Sequence, residues 1–183
     1  MLPGSFNPLT IAHVELAEAA MSQVDEVLLV VPSALPHKEY FGATLEERVG
    51  MIEAAGLGEA HSIASTGKSL FVDIARECGE VYGPEVRLLF VCGRDAAERI
   101  LEWDYGREGA VEEMMRSFEL LVAPRGGVLA APERFRERIH ALDIRPGHEL
   151  VSSSEIRERV ARGIEWEHLV PEAIVERVRG IYS

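Results

Sequence analysis

At 183 residues, 47% hydrophobic and 27% charged, the chain is long enough to bury a full core and too apolar to be disordered. A formal net charge of −12 leaves no electrostatic footprint for nucleic acid, and it repels small anions unless local cations override it. No apolar run is long enough to span a membrane and no signal peptide is evident, so the expected location is cytoplasmic; Cys78 and Cys92 lack metal-ligand spacing and read as buried thiols.

The chain turns almost at once into Gly4-Ser5-Phe6-Asn7-Pro8-Leu9-Thr10-Ile11-Ala12-His13. Gly4 admits a positive φ or the close approach of a ligand. Asn7-Pro8 is a turn dipeptide that keeps the chain out of helix. From Thr10 onward, Ile11, Val14, Ala17, Ala20 and Met21 fall near one face and predict a helix to Ser22. Thr10 and His13 then stand at its first turn, where unpaired N–H groups attract anions. A hydroxyl and an imidazole three residues apart point the same way from such a turn. Residues 26–31 form a short apolar run, as in a parallel strand covered on both faces. Beyond Pro32, the loop carrying His37 and Lys38 lies at that strand's C-terminal end, where open α/β sheets bind ligands. Thr44-Leu45-Glu46-Glu47 has the spacing of a capping box. The helix it starts is ended by Gly56 and carries Arg48, which can reach the substrate side but is read as lying on a solvated face. A weak strand surrounds Ile63, and Ser69 to Cys78 reads as a short helix.

Val86 to Cys92 is the second strong strand, and it runs into Gly93-Arg94-Asp95 at the start of a helix. Asp95 suits either a ribose or base contact or an N-cap. Trp103, just downstream, offers an indole that can stack on a flat ring. A helix over 109–117 and a strand over 119–123 follow, and the strand ends in Pro124-Arg125-Gly126-Gly127, a glycine turn bearing a cation. Pro132 fits the first turn of a short helix. A last short strand is expected at Asp143-Ile144 or in the residues leading to Val151. Ser152-Ser153-Ser154-Glu155-Ile156-Arg157 then opens a helix, and Ser152 and Glu155 have capping-box spacing. Three hydroxyls, free N–H groups and an arginine one turn in make a phosphate cradle. Trp166 reads as packing, and Val170-Pro171-Glu172 begins a closing helix. There is no internal repeat.

The stretch Gly4–His13 resembles the G-x-F-x-P-x-[HT]-x-x-H signature of the nucleotidylyltransferases, an α/β superfamily that transfers a nucleotidyl group and releases pyrophosphate. Thr10 and His13 hold the two motif positions, and Ala12 replaces the usual glycine. Val151–Arg157 resembles the superfamily's I-S-S-[ST]-x-I-R signature, which binds the ATP phosphates. Between them, Pro36-His37-Lys38 resembles the P-P-H-K stretch of nicotinate mononucleotide adenylyltransferases. Gly93-Arg94-Asp95 with Trp103 is similar to that branch's G-[AS]-D and downstream tryptophan. Pro124-Arg125-Gly126-Gly127 stands where the family commonly has V-x-R-P-G, and Ser69-Leu70-Phe71 replaces its S-Y-T. The resemblance implies a Rossmann-like parallel sheet flanked by helices, of the HUP type, with a short C-terminal helical segment and a single nucleotidylyltransferase domain over residues 1–183. A full apolar strand precedes the first motif in the family. Met1-Leu2-Pro3 leaves room for only a stub, so the native start is expected upstream of Met1.

The activity so implied is adenylyl transfer from ATP to nicotinate (or nicotinamide) mononucleotide, a step of NAD biosynthesis. Thr10, His13, Lys38 and Arg157 would carry the catalysis. Gly4, Ser5, Phe6, Gly93, Asp95, Arg125, Ser152, Ser153 and Ser154 would hold ATP, and His37, Ser69 and Trp103 the acceptor. Mg2+ would travel with the ATP, so no metal site built of protein ligands is expected. The expected partners are ATP and a phosphate-bearing small molecule, with no nucleic acid and no membrane; a homo-oligomer is compatible with the sequence. Pantetheine-phosphate adenylyltransferase is an alternative, since it shares Thr at the first motif position and a helix start like Leu45-Glu46-Glu47-Arg48. A catalytically weak nucleotide-binding module is the second alternative.

Overall fold

The computed structural model describes residues 1–34, 42–124, 127, 129–144, 147 and 151–183. In chain order the elements are β1 (Leu2–Pro3), α1 (Ile11–Ala20), β2 (Val27–Pro32), α2 (Leu45–Ala55), β3 (His61–Thr66), α3 (Phe71–Tyr82), β4 (Leu89–Gly93), α4 (Arg94–Glu102), α5 (Ala110–Ser117), β5 (Glu119–Ala123), β6 (Ile139–Ala141), α6 (Ser153–Ala161) and α7 (Val175–Tyr182). Short 3-10 turns occupy Glu133–Phe135, Glu167–Leu169 and Glu172–Ile174. The chain divides into two units, one of Met1–Leu2 with Lys68–Ile144, the other of Pro3–Gly67 with Arg145–Ser183. No helix among the described residues is long and apolar enough to cross a membrane.

In the second of these units, β2 and β3 are neighbours in one sheet. β2 and β3 are parallel, in register from Val27 opposite His61 to Pro32 opposite Thr66. Val27 to Val31 are all buried, so the unbroken apolar run is the signature of a covered parallel strand. Gly4 N–H donates to Val30 O at 3.1 Å, and Ser33 N–H carries the ladder on to Thr66 O at 2.8 Å. α2 has the capping box its sequence predicts: Glu47 N–H donates to Thr44 Oγ1 at 3.1 Å, and Thr44 N–H to the Glu47 carboxylate at 2.7 Å. Gly56 ends it in the left-handed region at φ 65°. Phe6, Leu9, Leu29, Met51, Ile156, Ile174 and Val178 fill the core, with Trp166 buried as packing.

In the other unit, β4, β5 and β6 are parallel neighbours, with Leu89 opposite Glu119 and Leu120 opposite Ile139. Phe90 stacks on Phe71 of α3 at 4.3 Å between centroids and meets Phe118 edge-on at 4.8 Å. Three boundaries differ from the sequence expectation. α3 begins at Phe71, with Leu70 as N-cap, and runs a turn beyond Cys78. β4 begins at Leu89, because Val86 to Leu88 lie outside the ladder with Val86 exposed. Among the described residues the last strand is Ile139–Ala141 and not Asp143-Ile144: it pairs with β5, and Leu142 N–H closes the ladder on Val122 O at 2.9 Å. Most of the residues leading up to Val151 lie outside the described ones. Cys78 and Cys92 are buried free thiols, and burial pushes Cys92 up to about 12.

Glu119, at the start of β5, is a buried carboxylate that gathers the surrounding cations. Arg87 grips it through two nitrogens at 3.0 and 2.5 Å, His140 Nε2 lies 2.5 Å away and Arg138 3.5 Å. The Arg87 hydrogen bond, aided by His140, holds the Glu119 carboxyl below its ordinary range against the opposing effect of burial. A carboxyl lowered on folding contributes stability above its unfolded value, and that contribution is lost as pH falls through the lowered folded value. Glu119→Gln should therefore lower unfolding free energy at pH 7 by about 2 kcal/mol, the scale of a charged hydrogen bond with its partner removed. Urea unfolding of both proteins over a pH series should show the gap closing in acid. A gap that stays constant with pH would assign it to packing instead.

Candidate active site

The first turn of α1 is built by the side chains of Thr10 and His13. Thr10 is fully buried and is the N-cap, its Oγ1 accepting His13 N–H at 3.3 Å. His13 stands where a capping box normally has Glu or Gln: its Nδ1 accepts Thr10 N–H at 3.1 Å and lies 2.9 Å from Thr10 Oγ1. An amide N–H only donates, so Nδ1 is bare and the neutral ring carries its proton on Nε2. Nε2 is thereby the ring's donor. Phe6 packs edge-on against the imidazole, with centroids 5.0 Å apart and planes at 68°.

Phe6 is itself wholly buried, and its φ of +46° places a non-glycine residue in the left-handed region. Gly4 is the reason it fits. A Cβ at Gly4 would stand 2.9 Å from the Phe6 ring. The close approach expected at Gly4 is therefore made by Phe6, and Gly4 is not among the positive-φ glycines. Only the backbone of Phe6 can face a ligand, since its side chain belongs to the core.

The start of α6 meets this turn. Ser152 is the N-cap, accepting Glu155 N–H at 3.2 Å. The return half of the capping box is absent, because the Glu155 carboxylate turns to Arg159 at 2.7 and 3.0 Å. Ser153 Oγ donates to Pro8 O at 2.8 Å. Arg157 donates from one nitrogen to Asn7 O at 2.5 Å and from another to Ser154 Oγ at 3.1 Å. Two signatures about 150 positions apart in sequence thus share the Asn7–Pro8 turn.

Three residues that the sequence did not single out as functional hold that turn from behind. Arg48, expected on a solvated face, is 1% exposed. It donates to Ser5 O at 3.1 Å, Pro32 O at 2.9 Å and Thr44 O at 3.3 Å, so it pins the motif loop to the end of β2. Asn7 is buried, and its Oδ1 accepts Ala43 N–H at 3.0 Å and the Tyr182 hydroxyl. A polar residue at a turn and an arginine on an amphipathic helix are ordinary in sequence. The signal lies only in which carbonyls they reach.

Ser69, Gly93, Asp95 and Trp103 belong to the unit of Met1–Leu2 with Lys68–Ile144. There Gly93, through its backbone, is the N-cap of α4, so Asp95 lies inside the first turn and not at the cap. Asp95 is exposed and 3.4 Å from Arg94. Trp103 ends α4 with 64% of its surface exposed, far more than a core tryptophan. Ser69 is exposed, two residues ahead of α3. His37, Lys38 and Arg125 lie outside the described residues.

Residues 1–159 match the model of the cytidylyltransferase-like family. The chain belongs to that family. It is 31% identical over its whole length to a Moorella thermoacetica protein named probable nicotinate-nucleotide adenylyltransferase, covering 90% of it. It is 33% identical, again over its whole length, to the protein of that name in Bordetella avium, covering 96% of it. Plasmodium falciparum nicotinic acid mononucleotide adenylyltransferase complexed with NaAD superposes with a TM-score of 0.73 over 96% of this chain and 93% of that one. At 16% identity this likeness speaks for the fold: parallel sheets flanked by helices in the nucleotidyltransferase arrangement.

For a cytidylyltransferase-like chain, the donor set around Asn7–Pro8 has an evident use. Two helix starts, an imidazole, hydroxyls and a guanidinium all offer hydrogen to oxygen, which suits phosphate. Arg48 is the fastening on which this loop depends. Arg48→Lys replaces a fork that reaches three carbonyls with a single ammonium. It should lower unfolding free energy by about 2–3 kcal/mol, one or two charged hydrogen bonds left unmade. Denaturant unfolding checks this, and a change within about 0.5 kcal/mol, the range of ordinary surface substitutions, would refute the clamp.

Proposed function

We infer that this chain is an adenylyltransferase that joins ATP to nicotinate (or nicotinamide) mononucleotide with release of pyrophosphate, a step of NAD biosynthesis. The observation that carries the reading is the meeting of the Thr10–His13 and Ser152–Arg157 signatures on one turn, in a chain whose full-length relatives bear that enzyme's name.

The nucleophile is a phosphate oxygen of the mononucleotide, already anionic, so no general base is required. It attacks the α-phosphorus of ATP in line with the bridging oxygen to the β-phosphate. The new P–O bond forms as that one breaks, and pyrophosphate leaves. Alignment and charge neutralisation are then the enzyme's task, and orientation can contribute about 7–11 kcal/mol. His13, with its proton on Nε2, donates to the phosphate oxygens as charge develops, while Thr10 holds the ring. The backbone N–H groups of Ser153 and Ser154, at the start of α6, receive the leaving pyrophosphate, and Arg157 adds positive charge beside them. Lys38 and Arg125 supply further cations by resemblance to the family. Magnesium enters as part of the ATP substrate, held by phosphates and waters. Gly93 and Asp95 meet the nucleotide. Trp103, exposed at the end of α4, is the platform for the pyridine ring.

The pantetheine alternative drew on the Leu45–Arg48 helix start. Since Arg48 is directed to backbone carbonyls, that likeness concerns the loop and not the acceptor.

Pyrophosphate release with Mg·ATP tests the reading, with nicotinate mononucleotide, nicotinamide mononucleotide and phosphopantetheine offered separately. Turnover is expected with a pyridine mononucleotide; turnover with phosphopantetheine alone would move the enzyme to another pathway. His13→Ala should cut kcat by about 10² or more, the loss of one oxyanion donor, and near-normal turnover would remove His13 from the chemistry. Trp103→Ala should raise KM for the mononucleotide by about tenfold, from the stacking range, and leave KM for ATP nearly unchanged. Equal effects on the two substrates would argue against a ring platform.

A further inference from the structure

Asn7 stands between the two signature helices and is held by a residue of the last one. Tyr182, in the final turn of α7, donates its hydroxyl to Asn7 Oδ1, which also accepts Ala43 N–H. Where Asn7 and Tyr182 meet, residue 42 is glycine: a Cβ there would stand 2.6 Å from Asn7 Oδ1 and 2.9 Å from Tyr182 Cε1. Its φ of +108° excludes a larger residue on backbone grounds as well. Burial raises the Tyr182 phenol well above its ordinary value, so the hydroxyl remains a donor through neutral pH. On its other side, Asn7 presents its main-chain carbonyl to Arg157, and Pro8 presents its own to Ser153. Two residues later the chain enters Thr10 and the imidazole cap of α1.

We propose that Tyr182 is a positioning residue for adenylyl transfer: its hydroxyl fixes Asn7, and Asn7 sets the carbonyls that aim Arg157 and Ser153 and the turn that delivers Thr10 and His13. The inference rests on the functional reading above and extends it to a side chain whose hydroxyl meets Asn7. The side-chain amide of Asn7 takes one donor from the start of α2 and one from the end of α7, so its orientation is fixed from two directions. With the Tyr182 donor gone, Asn7 Oδ1 keeps the Ala43 N–H and loses its tie to α7. A displacement of about 1 Å in catalytic groups can cost about 10² in rate, so a partial loosening should cost less than that.

Tyr182→Phe removes one oxygen and keeps the ring against Gly42. The expected result is a kcat lowered about tenfold per folded molecule, with KM for ATP and mononucleotide each within about twofold. Amide hydrogen exchange, followed on peptides covering residues 4–13, should be faster than in the native protein, while α3 and β5 keep their protection. Unchanged kcat in an active preparation overturns the proposal. So does a lower rate accounted for entirely by a smaller folded fraction, with exchange over residues 4–13 unaltered. If the native chain itself releases no pyrophosphate from any acceptor, the functional reading fails. The positioning role is then decided by exchange alone: equal protection of residues 4–13 in the two proteins overturns it, and faster exchange in the variant upholds it.

Discussion

Two main-chain carbonyls, those of Asn7 and Pro8, are where the separate parts of the site become one object. They receive Arg157 and Ser153 from a helix that begins about 145 residues later. Closing so long a loop is entropically unfavourable, although the cost rises only slowly with length. What offsets it is the burial that surrounds the turn: Phe6, Asn7, Leu9 and Thr10 are all inside, as are Ile156 one turn into α6 and Val178 on α7. The fold therefore delivers the turn and the second helix to each other as a consequence of packing the core, and the hydrogen bonds fix the fine geometry.

The electrostatics follow the same plan. A chain of net charge −12 must attract a nucleotide locally. It does so by leaving guanidinium charge undiluted. Arg157 is oriented by a carbonyl and a hydroxyl. Other arginines, such as Arg87 on Glu119 and Arg159 on Glu155, are tied to carboxylates. Neutral partners fix a guanidinium without cancelling its charge, and helix starts add partial positive charge.

Much of this was legible from the residues. Thr10, Thr44 and Ser152 announce helix starts because capping is local chemistry, decided by three or four consecutive residues. β2, and β5 beyond Glu119, are legible because a covered parallel strand is a continuous apolar run. β6 is not legible in the sequence because its three residues include His140, whose ring faces a buried glutamate, so no apolar pattern marks it. Arg48 was misread because an arginine on a helix is ordinarily solvated, and nothing local discloses that carbonyls of Ser5 and Pro32 await it. Asn7 and Tyr182 are separated by 175 positions, a pairing that only the folded chain discloses. Local rules are written in neighbouring residues; long-range partners are not.

The imidazole of His13 has one further consequence. It closes the first turn of α1 with one nitrogen while its other carries the proton. A glutamate or glutamine could cap that turn equally well but would bring a negative charge or a differently placed amide toward phosphate. A lysine would bring charge but no acceptor for the Thr10 N–H. Position 13 thus answers to two independent demands, helix initiation and phosphate chemistry, and among the twenty side chains imidazole alone combines a neutral ring acceptor with a ring donor on its far edge. Selection for folding alone should therefore admit glutamate or glutamine at position 13, and only the demand of phosphate chemistry narrows the choice to histidine.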